Sequence, residues 1–254
     1  MRIVLFADNY IGLKVIEILK SHHENIVGMF VHPPEHQNFY KEIVDASGLP
    51  EELIYPISKE WNEESIKKLK ALMPDIILVV FWRYILPKKV FKIPSLGCIN
   101  FHMSYLPYNK GKKPNVWPII DGTPCGISMH YIDEGIDTGK IIAREKVDLE
   151  LIDTGKTIYE KMIKAFPPLF EKTWPTLKDK KTKTIFTKEK GTFHFDKEFE
   201  KLNEINLEEK VYPLDLINLL RAKTFPPHNP AYFIKDGKKV FVTIKNKFDE
   251  SYYE

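Results

Sequence analysis

The sequence predicts an α/β protein in which an open sheet carries helices on both faces, followed by a small C-terminal annex of α+β structure with a β-hairpin. Short β-branched and aliphatic runs alternate with longer stretches of helical periodicity, which is the pattern of parallel βαβ units. The chain has 254 residues, of which 43% are hydrophobic and 13% aromatic. That is enough to bury the core of one large domain with a small appendage.

Five apolar runs are predicted to form the parallel strands: RIVLF (2–6), NIVGMFV (25–31), ELIYPI (52–57), DIILVVF (75–81) and GCINFH (97–102). Between them, apolar residues recur at helical spacing, as from Leu13 to Leu19 and from Ile66 to Leu72. Open α/β sheets bind ligands beyond the carboxyl ends of their strands, near a switch in strand order. We therefore expect functional residues where the fifth run ends.

The pattern changes at Gly126, where two extended runs flank the acidic stretch DEGIDTG (133–139). A helical segment then runs from Thr154 to about Trp174. We predict two strands that close the sheet and a final helix that packs on it.

A lysine- and threonine-rich stretch with little to bury begins at Asp179, and we place a domain boundary there, between a main domain (1–180) and an annex (181–254). The annex contains three structured segments, FHFD (193–196), LDLINLLRAK (214–223) and AYFIKDGKKVFVTIK (231–245).

The last segment predicts a β-hairpin that turns at Asp236-Gly237. A two-stranded hairpin is marginal alone, so its apolar face needs a partner. That face is predicted to consist of Tyr232, Ile234, Val240, Val242 and Ile244. The partner is either the main domain of the same chain or the hairpin of a second chain in a C2 dimer.

Charge and composition argue against several classes of partner. The formal net charge is +3, from 38 basic and 35 acidic side chains that are mixed along the chain, so no basic stripe predicts a nucleic-acid partner. No apolar run approaches the roughly 20 residues that span a bilayer, so no membrane partner is predicted. The two cysteines and the absence of a signal-peptide pattern predict a cytoplasmic protein with reduced thiols.

Common cofactor motifs are absent. The first strand does not lead into G-x-G-x-x-G, and neither a G-x-x-x-x-G-K-[ST] loop nor a G-x-S-x-G elbow occurs. A zinc site can be drawn from Cys98, His102, Cys125 and His130, but these residues lack compact paired spacing, and we predict no metal.

Polar residues concentrate instead at the end of the fifth run and in DEGIDTG. Asn100 and His102 are two apart in a strand and therefore share a face. Gly135 and Gly139 would let the acidic loop turn sharply and approach that face. An amide, an imidazole and a carboxylate together suit proton transfer with a stabilised oxyanion. In the alternative reading, the two strand residues cap local backbone groups and the loop is a solvated turn, and the residues alone leave both readings open.

The pattern Asn100-x-His102-x-Ser104-x-Leu106-Pro107, followed by Asp133-Glu-Gly-Ile-Asp137-Thr-Gly139, resembles the signature of the N10-formyltetrahydrofolate-dependent formyltransferases. The similarity covers roughly residues 1 to 180 and implies a Rossmann-like formyltransferase fold with N10-formyltetrahydrofolate as cofactor. It also implies an Asn, His and Asp catalytic trio, which maps onto Asn100, His102 and Asp137.

A second stretch, Phe81-Trp-Arg-Tyr-Ile-Leu-Pro87, resembles the family loop that lines the folate pocket. The implied cofactor-binding residues are Phe81, Trp82, Arg83, Ile85, Leu86, Asp133 and Asp137. For Trp82, a place in the hydrophobic core is the alternative.

The stretches 112–124 and 221–228 resemble the sugar-nucleotide N-formyltransferases, especially those that use dTDP-4-amino-4,6-dideoxyglucose for surface polysaccharide (O-antigen type) synthesis. Many relatives have an Arg where Lys110 stands, and a Lys loses the fork geometry. The implied substrate-binding residues are Asn9, Tyr10, Lys113, Asn115, Arg221, Phe225, His228 and Tyr232. An amino group at C3 and one at C4 of the sugar both remain open.

The chemistry of some of these side chains suits parts of a sugar nucleotide. A guanidinium matches diphosphate oxygens bidentately, which favours Arg221. Phe225 and Tyr232 offer faces for a thymine, with core or dimer-interface packing as the alternative. Rival functions are a methionyl-tRNA or other small-amine formyltransferase, a formyltetrahydrofolate hydrolase and a non-enzymatic binding module.

Overall fold

The computed structural model describes residues 1–57, 60–245 and 247. Its contacts divide the chain into two compact units. The first unit comprises Met1–His102, Ser128–Arg144 and Ala165–Thr187. The second comprises Met103–Ile127, Glu145–Lys164 and the chain from Lys188 onward.

The strands are, in chain order, β1 (Arg2–Ala7), β2 (Asn25–Val31), β3 (Ile54–Pro56), β4 (Ile76–Val80), β5 (Cys98–His102), β6 (Lys110–Gly111), β7 (Gly126–Tyr131), β8 (Ile141–Lys146), β9 (Phe193–His194), β10 (Ala231–Lys235) and β11 (Lys238–Val242). The α-helices are α1 (Asn9–Ser21), α2 (Tyr40–Ser47), α3 (Glu63–Ala71), α4 (Lys88–Phe91), α5 (Trp117–Asp121), α6 (Gly155–Lys178), α7 (Asp196–Lys201) and α8 (Pro213–Lys223). Two short 3-10 helices lie at Pro34–His36 and Glu51–Leu53.

The main sheet has seven strands in the order β3-β2-β1-β4-β5-β7-β8. The five strands predicted as parallel are present and pair in parallel, and β7 pairs antiparallel with β5. The strand order reverses between β1 and β4, which is the switch point where open sheets bind ligands. The predicted fold class is therefore confirmed.

The inner strands consist almost wholly of buried apolar residues, as expected for parallel strands covered on both faces. On one face, the ring of Phe6 contacts the rings of Phe30, Trp61 and Trp82. Asp8 is the N-cap of helix α1, and its side chain accepts from the Asn9 N–H. The helix buries Ile11, Val15, Ile16 and Leu19. Burial of each of these side chains contributes about 1.5–3 kcal/mol.

Helix α6, the predicted final helix that packs on the sheet, is longer at its C-terminal end than predicted. Its part within the first unit buries Phe166, Phe170 and Trp174 completely. The Phe101 ring of β5 lies 5.9 Å from that of Phe166 and 5.4 Å from that of Phe170. This packing fixes the apolar face of the strand that carries Asn100 and His102.

The second unit contains the annex segments, which form strand β9, the predicted helix α8 and the predicted β10–β11 hairpin. Strand β9 pairs in parallel with β6, and α8 packs against α5. These contacts join the annex to residues 103–127 within one unit. The division at 180 stays a prediction, and part of the annex, residue 246 and residues 248–254, lies outside the described residues.

The predicted apolar face of the hairpin is wrong. Tyr232 pairs with Phe241, and Phe233 pairs with Val240. Directly paired residues share a face, so Tyr232 and Ile234 lie with Phe241 and Lys239, whereas Val240 and Val242 lie on the opposite face with Phe233. The two-residue turn at Asp236-Gly237 sets this register, because Lys235 pairs with Lys238.

Candidate active site

The end of β5 presents two polar side chains on one face. Asn100 and His102 are separated by buried Phe101, and β5 lies between β4 and β7 in the sheet. His102 is almost completely buried. Asn100 pairs with His130 of β7, and His102 pairs with Ser128. The pairing therefore places a second imidazole beside Asn100.

The loop between β7 and β8 brings a carboxylate to the same place. It is held by the Asp133 carboxylate, which accepts from the Gly135 N–H at 3.1 Å and from the Thr138 hydroxyl at 2.6 Å. A side chain at Gly139 would place Cβ 1.7 Å from the Tyr131 carbonyl oxygen, so the close approach requires glycine. These constraints position Asp137, whose side chain is 12% exposed.

Asp137 lies within ion-pair distance of two imidazoles. Its Oδ1 is 3.6 Å from Nδ1 of His102 and 3.5 Å from Nε2 of His130. The two imidazole rings are 6.1 Å apart and nearly perpendicular. The structure thus brings the predicted trio together and adds a fourth member, His130.

The hydrogen bonds of His130 define its tautomer. Nδ1 lies 2.9 Å from the Tyr131 carbonyl oxygen, which can only accept, so Nδ1 carries the proton. In the neutral ring, Nε2 then accepts from Nδ2 of Asn100 at 3.2 Å. His130 therefore orients the Asn100 amide, whose second N–H remains a donor for a reacting oxygen.

Sequence reasoning considered His130 only as a zinc ligand and did not predict this role. The signal that identifies it is the antiparallel pairing of β7 with β5, which places His130 opposite Asn100. Nothing in the local sequence around His130 specifies that pairing.

Three predicted site residues have left-handed backbone conformations. The φ angles are 63° at Asn9, 57° at Phe81 and 54° at Asp137. Such a conformation costs about 1–3 kcal/mol for a non-glycine residue and is concentrated at functional sites. Asn9 and Phe81 follow β1 and β4, so both lie at the carboxyl ends of the strands between which the order reverses.

The predicted folate loop divides into exposed and buried positions. Ile85 is 74% exposed, whereas Leu86 is buried in the core. The Trp82 ring stacks 3.9 Å from the ring of His32 and packs on Phe6, which is the core position considered as its alternative. Nε of Arg83 donates to the buried carboxylate of Asp8 at 3.1 Å.

Two predicted substrate residues begin α1. The Asn9 side chain accepts from the Tyr10 N–H at 2.6 Å. The Tyr10 ring is half-buried and meets the ring of Phe39 edge-on at 6.0 Å. Both therefore belong to the first unit, as the trio does.

The other six predicted substrate residues lie in the second unit. Arg221 is buried, and its guanidinium donates to the carbonyl oxygens of Asp153 at 2.8 Å and Glu150 at 2.6 Å and to Asn218 at 2.9 Å. Its fork is thus directed at protein acceptors, and these contacts give no support to a diphosphate role. Asn115 is also buried and donates to the Gly155 carbonyl at 3.2 Å.

The remaining predicted residues are more accessible. The half-buried Phe225 ring lies 5.3 Å from Tyr159 and 5.4 Å from exposed His228. Tyr232 donates its hydroxyl to Glu204 at 3.1 Å, and Nζ of Lys239 lies 4.0 Å from its ring centroid. Lys113 is exposed.

The described part of the chain lacks two further features, a cluster of metal ligands and a membrane-spanning helix. No group of three or more His, Cys, Asp or Glu side chains there is placed to hold a metal ion. Within the same residues, no helix has the length and apolar character needed to cross a bilayer.

A family model described as formyl transferase matches residues 1–171. The chain belongs to this formyltransferase family. A second model, described as the N-formyltransferase dimerization C-terminal domain, matches residues 198–246. The first matched region contains the trio, and the second lies within the annex.

Individual formyltransferases resemble the chain over different extents. A 4-N formyltransferase structure from Francisella tularensis has a TM-score of 0.84 and 28% identity and covers 98% of each chain. The methionyl-tRNA formyltransferase of Clostridioides difficile is 33% identical over 172 residues, 64% of this chain and 55% of that protein. The dTDP-4-amino-4,6-dideoxyglucose formyltransferase of Mycobacterium bovis is 31% identical over 153 residues, 60% of this chain and 65% of that protein.

The matches to the first curated relatives span between 39% and 62% of their length. This chain is therefore similar to about half of each of those proteins.

Proposed function

We propose that this formyltransferase transfers the formyl group of N10-formyltetrahydrofolate to the amino group of a dTDP-linked amino-dideoxy sugar, with dTDP-4-amino-4,6-dideoxyglucose as the first candidate. The main support for this reaction is the position of Asp137, whose Oδ1 lies 3.6 Å from His102 and 3.5 Å from His130. His130 in turn contacts Asn100. These contacts support the roles of oxyanion donor for Asn100, base for His102 and charge partner for Asp137.

The residues of the first unit fit the folate. When bound, the folate supplies a formyl group whose carbonyl carbon is electrophilic. Phe81 and exposed Ile85 would contact its ring, and the backbone of the 81–87 and 133–137 loops would provide hydrogen bonds. Trp82, which is partly buried and packs against the core, would support this loop.

The chain's own residues then act on charge and protons. Asn100 donates a hydrogen bond where negative charge grows on the formyl oxygen, and loss of such a donor costs about 2.7–4 kcal/mol of transition-state stabilisation. A proton on Nδ1 of His102, facing Asp137, leaves the lone pair on Nε2 to take the proton of the attacking amine. Asp137 stabilises the imidazolium that forms.

The amine nitrogen thereby forms a bond to the formyl carbon, the bond from that carbon to N10 breaks, and the proton taken up by His102 can pass to the leaving nitrogen. Because the base is regenerated, one trio serves both the attack and the departure.

The sugar acceptor is supported by resemblance and by relatives. Stretches 112–124 and 221–228 resemble sugar-nucleotide formyltransferases, and the relatives named above include a 4-N formyltransferase and an enzyme named for dTDP-4-amino-4,6-dideoxyglucose. The second candidate is methionyl-tRNA, favoured by the similarity to the methionyl-tRNA formyltransferase of Clostridioides difficile. We place the reaction in the cytoplasm.

We also propose that the chain acts as a homodimer through its annex. The match to a dimerization domain spans residues 198–246. Large apolar side chains are exposed within this span, including Leu214 (58%), Ile217 (42%), Ile234 (49%) and Phe241 (48%). A second copy that covers them would remove this apolar surface from water.

The identity of the acceptor is tested by mass spectrometry of products. Purified protein and N10-formyltetrahydrofolate are incubated with dTDP-4-amino-4,6-dideoxyglucose, with its 3-amino isomer, or with methionyl-tRNA. We expect the mass of one added CO on the 4-amino sugar. Formylation of methionyl-tRNA instead would overturn the proposed acceptor and support the second candidate.

A further inference from the structure

Helix α8 ends in a buried ammonium group. Lys223 is the last residue of this helix and is 5% exposed. Its Nζ donates to Oδ1 of Asn203 at 2.5 Å and lies 3.7 Å from the centroid of the Phe199 ring. Both partners are neutral, so neither balances its charge.

In the described part of the chain, no acidic side chain balances the charge of Lys223. Among the residues that the structure describes, no carboxylate lies within ion-pair distance of its Nζ, whereas Lys161 of the same unit meets Asp153 at 2.7 Å. Buried charges in proteins are normally paired, because an unpaired ammonium loses its hydration without a counter-ion. Lys223 therefore departs from the general pattern.

A second lysine approaches the same ring. Nζ of Lys113 lies 5.6 Å from the Phe199 centroid, and Lys113 itself is exposed and has a left-handed φ of 52°. Burial and the positive charge of Lys113 lower the pKa of the Lys223 ammonium to about 8. Two like charges thus converge on a neutral ring, an arrangement that an anion would stabilise.

We propose that Lys223 and Lys113 bind the diphosphate of the sugar nucleotide beside Phe199. The identity of the anion rests on the proposed function, but the pair of lysines is independent of it. Sequence reasoning assigned the diphosphate to Arg221, whose fork already donates to Glu150 and Asp153. In this arrangement the anion enters from the solvent past exposed Lys113 and also contacts the buried ammonium group of Lys223.

Isothermal titration calorimetry on the full chain tests this proposal with inorganic pyrophosphate, dTDP and thymidine. Lys223→Met keeps the length and apolar stem of the side chain but removes its charge. Lys112→Met is the matched control, because Lys112 is an exposed lysine next to Lys113. We expect Lys223→Met to weaken the binding of pyrophosphate and dTDP at least tenfold and to leave any thymidine binding unchanged, while Lys112→Met binds as the wild type does.

A second variant keeps the test decisive if Lys223→Met fails to fold. Lys113→Met changes an exposed side chain and should also weaken both diphosphate ligands. Wild-type affinity for pyrophosphate and dTDP in a folded Lys223→Met protein, or in Lys113→Met where the first variant does not fold, would overturn the proposal. So would the absence of pyrophosphate binding to the wild type.

One outcome is that the wild type binds pyrophosphate but not dTDP and that Lys223→Met loses pyrophosphate binding. That result would support the anion site and count against the proposed nucleotide substrate. Failure of the anion site and failure of the proposed function are therefore distinguishable.

The pH dependence of pyrophosphate binding gives a further readout. The charged group that faces Lys223 is Lys113, while Asn203 and Phe199 do not titrate. The affinity for pyrophosphate should be constant between pH 7 and about 8 and should fall at higher pH, where Lys223 loses its proton. If Lys223 had only a structural role, the affinity would not fall in this way.

Discussion

Asp137 holds one carboxylate oxygen between two imidazoles, at 3.6 Å from His102 and 3.5 Å from His130. Each imidazole has a different second task. Nε2 of His130 contacts the Asn100 amide, whereas His102 lies at the end of β5 and, in the proposed mechanism, accepts the proton of the amine through its own Nε2. A change at Asp137 should therefore disturb His102, the proposed proton acceptor, and, through His130, Asn100, the proposed oxyanion donor.

Replacement of His102 by Asn should abolish most turnover and preserve the fold. It removes the proton acceptor but keeps a polar side chain, and general base catalysis contributes about 10²–10⁴-fold. The measurement is kcat for formyl transfer together with the affinity for tetrahydrofolate, which should be retained. His22→Asn, at an exposed histidine that follows α1, is the control. Near wild-type kcat in His102→Asn would remove His102 from the mechanism.

Asp137→Asn should lower kcat because the imidazolium of His102 loses its counter-charge. The effects of His102→Asn and Asp137→Asn should not add, since both act on one proton transfer. The measurement is the rate of the double variant, expected to be close to that of His102→Asn alone. A double variant whose losses multiply would show that the two residues act independently.

At the residue scale, the sequence predicted what depends on local geometry. Asn100 and His102 were expected to share a face because they are two apart in a strand, and the structure places them so. His130 was missed because its role depends on which strand pairs with β5. Arg221 was assigned to a diphosphate because the sequence does not reveal that Glu150 and Asp153, distant along the chain, provide its acceptors.

At the element scale, the hairpin shows how register determines a face. Its existence and its turn at Asp236-Gly237 were predicted correctly. With a two-residue turn that pairs Lys235 with Lys238, even-numbered residues of β10 share a face with odd-numbered residues of β11. The predicted face combined even-numbered residues from both strands, so it mixed the two sides.

Helix α8 should impose a pH dependence on stability through Lys223. In the folded protein the pKa of this lysine is about 8, below its ordinary value of 10.5. Between these values the unfolded chain binds more protons than the folded chain, so this group makes the free energy of unfolding rise with pH. The full effect is roughly 3 kcal/mol.

The measurement is urea unfolding of the ligand-free wild type and of Lys223→Met at pH 7, 8, 9 and 10. The stability of the wild type relative to the variant should increase across this window. A difference that is independent of pH would contradict the lowered pKa.

At the scale of the whole molecule, alternating apolar runs predicted the fold class and the parallel pairing of five strands, because each run is long enough to mark a buried strand. The sequence did not predict which segments of the chain form the second unit. Pairing of β6 with β9 and packing of α5 on α8 join segments that are far apart in the sequence, and local patterns carry no signal for such contacts.

Dimerisation should depend on the exposed apolar residues of the annex. The double substitution Ile234→Glu and Phe241→Glu places charge on one face of the hairpin, on side chains that are 49% and 48% exposed. Light scattering at micromolar concentration should show a dimer for the wild type and a monomer for this variant. Phe186→Glu, at an 84% exposed position outside the matched dimerization domain, should remain a dimer. A monomeric wild type would refute the proposed dimer.

The central claim is that the Asn100, His102 and Asp137 arrangement transfers a formyl group to an amine and does not hydrolyse the formyl donor. The most direct measurement follows tetrahydrofolate release from N10-formyltetrahydrofolate, first without an amine and then after addition of dTDP-4-amino-4,6-dideoxyglucose. We expect release only after addition of the sugar, with one formamido sugar formed for each tetrahydrofolate. Release at the same rate without the amine, with formate as the product, would contradict the account and identify a hydrolase.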